Sequence, residues 1–155
     1  MNVDWLHLAH HALFGALAAA GFGVLFNFQV RTLPLCAAAG AVALGVRTLA
    51  LQAGWSLEAA SFTAAAIVGL AVRLSLPRQR QASNAMALAG CIPMVPGSFF
   101  AQAILGLLAL TTSSGADTEA VLATTVEYGL RVLFTVGAIG AGLTIPTHLL
   151  GDREF

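Results

Sequence analysis

Three charged residues stand well inside long apolar stretches of the sequence: Arg47, Glu127 and Arg131. A charge in such a place is costly and usually faces a partner or a water-filled path. At a rise of about 1.5 Å per helical residue, Arg47 and Glu127 fall about 10 to 12 Å below the outer face of the membrane and Arg131 near its midplane, so all three can meet. Glu127 and Arg131 are four residues apart, in the favourable order for a helical ion pair. Two readings are open. The pair neutralises itself along one helix face, or Arg47 and Arg131, partly balanced by Glu127, leave a positive site for a carboxylate, with Glu127 able to relay protons.

The segment Cys91-Ile92-Pro93-Met94-Val95-Pro96-Gly97-Ser98 carries a second kind of chemistry. Two prolines three apart and a glycine interrupt an otherwise continuous apolar run. Each proline lacks a backbone donor and clashes with the preceding turn, which leaves carbonyls without their helical partners. Unwound backbone at membrane depth is tolerated where it is buried in protein or lines a wet cavity, and transporters build substrate sites from such breaks. The alternative is a proline kink used for packing.

Asp4, His7, His10 and His11 fall at helical spacings that bring several of them to one face. The ligand count is too low for a closed metal site, and histidines at a helix end near the membrane surface are well solvated, so no metal is expected. Cys36 and Cys91 form no CxxC or Cys/His set and read as small packing residues. Nucleophile elbow, H-E-x-x-H and P-loop patterns are missing, so neither an enzyme nor a cofactor is expected.

The elements that must hold these residues are apolar helices. The chain has 155 residues, 58% of them apolar and only 9% charged, with a mean hydropathy of +0.85. Soluble domains carry roughly 25% charged residues, so the missing polar surface must face a lipid bilayer. All seven basic residues are arginine, balanced by seven acidic ones, which leaves no basic field for nucleic acid.

The expected fold is all-α, a single membrane domain over 1–155 with about five transmembrane helices at 5–26, 33–53, 55–76, 85–110 and 120–150, the fourth broken at Pro-x-x-Pro-Gly. The first helix starts with Asp4 and no basic residue, unlike a cleavable signal, and is expected to stay on the protein. Ser56 is a candidate cap for the third helix, with Glu58 in its first turn. Arg31 in the first loop and Arg73, Arg78 and Arg80 around the third place the N-terminus outside and the C-terminus in the cytoplasm. Small-residue stripes at Gly15-Ala19-Gly23, Ala37-Ala41-Gly45 and Gly137-Ala141 are candidate helix contacts.

Taken in order, Gly21-Phe22-Gly23-Val24-Leu25-Phe26-Asn27, Val30-Arg31, Gly45-Val46-Arg47 and Ile92-Pro93-Met94-Val95-Pro96-Gly97 resemble the threonine/serine exporter family. The likeness covers nearly the whole chain and is to the small-subunit form, similar to the C-terminal membrane half of the fused exporters. It implies secondary export of small polar metabolites, such as threonine, serine or small dicarboxylates, across a bacterial inner membrane. It also implies a second multi-helix membrane subunit as partner. The family-motif positions are Asn27, Arg31, Arg47, Pro93, Pro96 and Gly97, and the expected substrate-binding set is Asn27, Arg47, Pro93, Pro96, Gly97 and Ser98. Glu127 and Arg131 lie outside that pattern. The competing reading is a non-transporting structural or regulatory membrane subunit.

Overall fold

A computed structural model describes residues 4–75, 80–112 and 117–149. Pro77 and Arg78 of the basic hinge, the middle of the polar loop and residue 150 of the last run lie outside them. The described residues are helical, with no strand. Six α-helices follow one another: α1 (Trp5–Leu25), α2 (Leu33–Gln52), α3 (Leu57–Ser75), α4 (Arg80–Cys91), α5 (Gly97–Thr112) and α6 (Asp117–Leu149). The run expected as the fifth span is one helix through Leu149. Four segments are long and apolar enough to cross a membrane, and α4 with α5 makes a fifth if the two count as one broken span.

Local chemistry sets the ends. The Asp4 carboxylate accepts from the His7 N–H at 3.1 Å and caps α1. Ser56 Oγ accepts from the Ala59 N–H at 3.2 Å and caps α3, with Glu58 in the first turn, as the sequence suggests. Two helices end in the same left-handed turn. Beyond α1, Asn27 takes φ +57°, Phe28 N–H donates to Gly23 O and Asn27 N–H to Val24 O, both at 2.9 Å. Beyond α2, Gly54 takes φ +85° and Trp55 N–H donates to Ala50 O at 3.1 Å. These are Schellman caps, in which a residue at positive φ lets the chain satisfy the last carbonyls.

Two compact units divide the chain, Met1–Met94 with Ala138–Phe155, and Val95–Gly137. In the first, Gly15, Ala19 and Gly23 are the buried residues of α1, as their spacing predicts. A Cβ on Gly15 would stand 2.5 Å from the Gly40 carbonyl oxygen of α2, so backbone meets backbone there and glycine is required on both sides. The α2 stripe is a correction. Its buried residues are Cys36, Ala39, Gly40, Ala43 and Thr48, while Ala37, Ala41 and Gly45 are only half-buried. The approach to Gly15 fixes the rotation of α2 and puts Gly40, one position away from the expected stripe, at the contact.

The last helix departs in the same way. Gly137 is exposed and Ala141 half-buried; Gly142 instead seats against the Phe62 carbonyl and Ala65 of α3. Cys36 and Cys91 are free thiols inside the core of the first unit, beside Ala39, Ala64, Val68, Met86 and Met94. Large apolar side chains remain outside, among them Leu13 at 58% and Leu17 at 60% exposure on α1, a surface that suits lipid and not water.

In the second unit, α5 packs on the first part of α6. Gly106 leaves room for Thr125, whose hydroxyl turns back to the Val121 carbonyl at 2.6 Å, and Phe99 stacks on Tyr128 at 5.7 Å. The Arg131 guanidinium lies over the Phe99 ring at 5.7 Å.

Candidate functional site

The site begins with a carbonyl that loses its helix. Regular hydrogen bonding stops at Cys91, a 3-10 turn covers Ile92–Met94, and a new helix starts at Gly97. Pro93 and Pro96 bring no N–H to this stretch. The Gly97 N–H turns to the Val95 carbonyl at 2.9 Å and the Phe100 N–H to Pro96 O at 3.1 Å, so the first bonds of α5 leave Met94 O unused. Arg47 supplies the donor. Its Nη1 reaches the Met94 carbonyl at 2.5 Å across 47 residues of sequence. A guanidinium carries five donors and keeps its charge when one is spent on a neutral oxygen, so Arg47 is held in place while staying cationic.

Arg47 and Pro93 border a cavity of about 460 Å³, open on one side, together with His7, His11, Leu44, Thr48, Leu51 and Gln52. The α2 members, Leu44, Arg47, Thr48, Leu51 and Gln52, recur at the spacing of one helix face. His7 and His11, one turn apart on α1, have ring centroids 4.3 Å apart. Gln52 Nε2 donates to the Asp4 carbonyl at 3.5 Å, while its Oε1 is buried with no hydrogen-bond partner among the described residues. Among the described residues no carboxylate lines the cavity, and Arg47 is the fixed charge in its lining. A concave space of this size with a few convergent polar groups suits a small carboxylate-bearing molecule, whose anionic end meets the arginine.

The expected site residues fall in both units. Arg47 and Pro93 share the cavity. Pro96, Gly97 and Ser98 open α5 and belong to the second unit, where they set the start of that helix. Asn27 sits beyond the far end of α1, roughly 24 Å along the helix from His11, and does backbone work as the left-handed residue of the Schellman turn. Glu127 and Arg131, expected as a buried charge pair, close on each other in the second unit, with Arg131 Nε and Nη2 both 3.0 Å from Glu127 Oε1, but both side chains are exposed rather than buried. Of the two readings open for that pair, this is the geometry of mutual neutralisation along one helix. Among the described residues no three His, Cys, Asp or Glu side chains gather as a metal site would need.

Sequence reading passed over Gln52, Thr48 and the placement of His7 and His11 beside Arg47. For the α2 residues the signal was available, since Thr48 and Gln52 are the polar residues on the face that carries Arg47. For the histidines it was not, because their meeting with Arg47 depends on how α1 and α2 cross at Gly15 and Gly40.

No solved structure matches this chain. A family model described as Threonine/Serine exporter, ThrE, matches residues 11–149, nearly the whole length. Apolar spanning helices, a proline-broken segment and a cationic cavity of metabolite size accord with that match, and the chain belongs to the threonine/serine exporter family.

Proposed function

We propose that this chain exports small polar metabolites of the threonine and serine type from a bacterial cytoplasm, with the Arg47 cavity as its substrate site. The observation that carries the reading is Arg47 itself, anchored on Met94 O at the edge of a cavity that no carboxylate among the described residues lines. Its remaining donors suit a substrate carboxylate, and small dicarboxylates satisfy the same chemistry. Asn27, Pro96, Gly97 and Ser98 enter this reading as residues that shape the path.

The protein works in the inner membrane with its N-terminus outside, beside a second multi-helix subunit of the same family. Rocking of one half against the other exposes the site to each side in turn, driven by the proton gradient. Export of labelled amino acids and dicarboxylates from cells holding this chain alone, and again with a co-expressed partner, tests the reading. Export that needs the partner supports it and identifies the substrate. Correct insertion with no export in either case overturns it.

One observation favours a second reading. The Arg47 bond to Met94 O is also what a structural staple would look like, as in a subunit that stabilises its partner and carries no substrate. Substitutions at Pro96 and Gly97 separate the two. A transporter loses export beyond any loss of assembly; a scaffold loses both equally.

A further inference from the structure

Within the second unit, two sides of α6 meet their surroundings differently. Leu122, Val126, Leu130 and Leu133 share one side, exposed and apolar, as lipid requires. Thr124, Glu127, Tyr128 and Arg131 recur at i, i+3, i+4 and i+7 on the other. That side is polar and open: 58% of the Glu127 side chain and 44% of the Arg131 side chain are exposed. Thr124 and, from α5, Gln102 are exposed as well, beside a hollow of about 280 Å³ that Tyr128 also lines. Arg131 stands near the middle of Thr118–Ile145, the stretch of α6 apolar enough to span a membrane. Hydrocarbon solvates neither a charge nor an amide, so this side needs a polar cover.

We propose that a second copy of this chain covers it, two α6 helices meeting side by side through Glu127 and Arg131. Both contacts of the pair within one chain end on Glu127 Oε1, which leaves Oε2 for a further donor, and a guanidinium has five N–H groups to share. Membrane insertion gives every copy the same orientation, so a twofold axis along the membrane normal sets the two faces at equal depth. Across that axis each Glu127 faces the other copy's Arg131. The face is thus complementary to itself in charge, and both signs are answered without any residue from outside this sequence. Polar contacts of this kind hold membrane helices together where apolar side chains gain little over lipid. The contact belongs to the second unit and the Arg47 cavity to the first, so it holds whether or not that cavity takes substrate.

The test is disulfide formation between copies in membranes that hold the full chain with its partner subunit co-expressed. Thr124→Cys puts a thiol on the polar side, and Leu122→Cys puts one at nearly the same depth on the apolar side. Oxidation should link Thr124→Cys copies well beyond the unaltered protein, whose Cys36 and Cys91 are buried, and leave Leu122→Cys chains single. In the Thr124→Cys background, Arg131→Glu or Glu127→Arg sets like charges against each other and should lower the link per inserted chain at least about fivefold, the scale of one interhelical polar contact. Co-expressing those two variants under different tags should restore it, because an acidic chain then faces a basic one. Glu127→Gln with Arg131→Gln, which leaves no lone charge to hinder insertion, should lose the link by the same factor. A link at Thr124→Cys that is absent, equal to that at Leu122→Cys or unchanged in the uncharged variant overturns the proposal. So does a mixed link no stronger than the like-charged ones; the cover is then the different subunit or water.

Discussion

Arg47 and Arg131 are the same residue in similarly apolar helices, and the fold uses them in opposite ways. Arg131 is answered one turn away by Glu127 and rests on the face of Phe99, so its charge is spent inside its own unit. Arg47 has no carboxylate beside it among the described residues and reaches across the chain to a carbonyl that the proline break has freed. A carbonyl fixes the side chain without cancelling its charge. The difference shows how an intramembrane cation can be either structural or available, and what decides it is the partner.

The largest effect is expected from breaking the available cation. Arg47→Ala removes the arginine charge from the cavity and its bond to Met94 O; a charged hydrogen bond worth roughly 3 kcal/mol corresponds to about a hundredfold loss of export, with the protein still inserted. Unchanged transport of labelled threonine would remove Arg47 from the substrate site.

Next comes Pro96→Ala, which returns a donor to the broken segment and offers its carbonyls a partner other than Arg47. Export normalised to inserted protein should fall roughly tenfold, the scale of one ordinary hydrogen bond. A fall no greater than the loss of assembled complex would favour the scaffold.

Smaller still is Glu127→Gln. The pair is partly exposed and lies on one helix, so its loss should cost under about 1 kcal/mol, read as a slight drop in melting temperature in detergent. The double change Glu127→Gln with Arg131→Gln should do least, since no lone charge remains, and export should stay within about twofold. A collapse of export in the double variant would return that pair to the transport machinery.

Much of this was legible in the sequence because membrane helices write their length and apolarity directly into the chain. The stripe on α1 was also legible, since Gly15, Ala19 and Gly23 are the smallest residues on one face and α1 buries them. The faces of α2 and α6 were not, because alanine is so frequent in both that several stripes compete, and close backbone approach at Gly40 and Gly142 decides among them. The proline break announced freed carbonyls, yet the residue that satisfies one of them lies 47 positions away, beyond any local pattern. At Asn27, a residue the family resemblance puts in the substrate-binding set, the structure adds a backbone role that the motif did not announce, the turn closed at φ +57°.

The most direct test compares Arg47→Lys with Arg47→Gln, because lysine keeps the charge while glutamine keeps a donor for Met94 O without it. Labelled threonine export, measured with the partner subunit present and corrected for inserted protein, should stay within about tenfold of the unaltered level in the lysine variant and fall to the alanine level in the glutamine variant. Equal or better export by the glutamine variant would contradict the account and leave Arg47 as a staple on the broken helix.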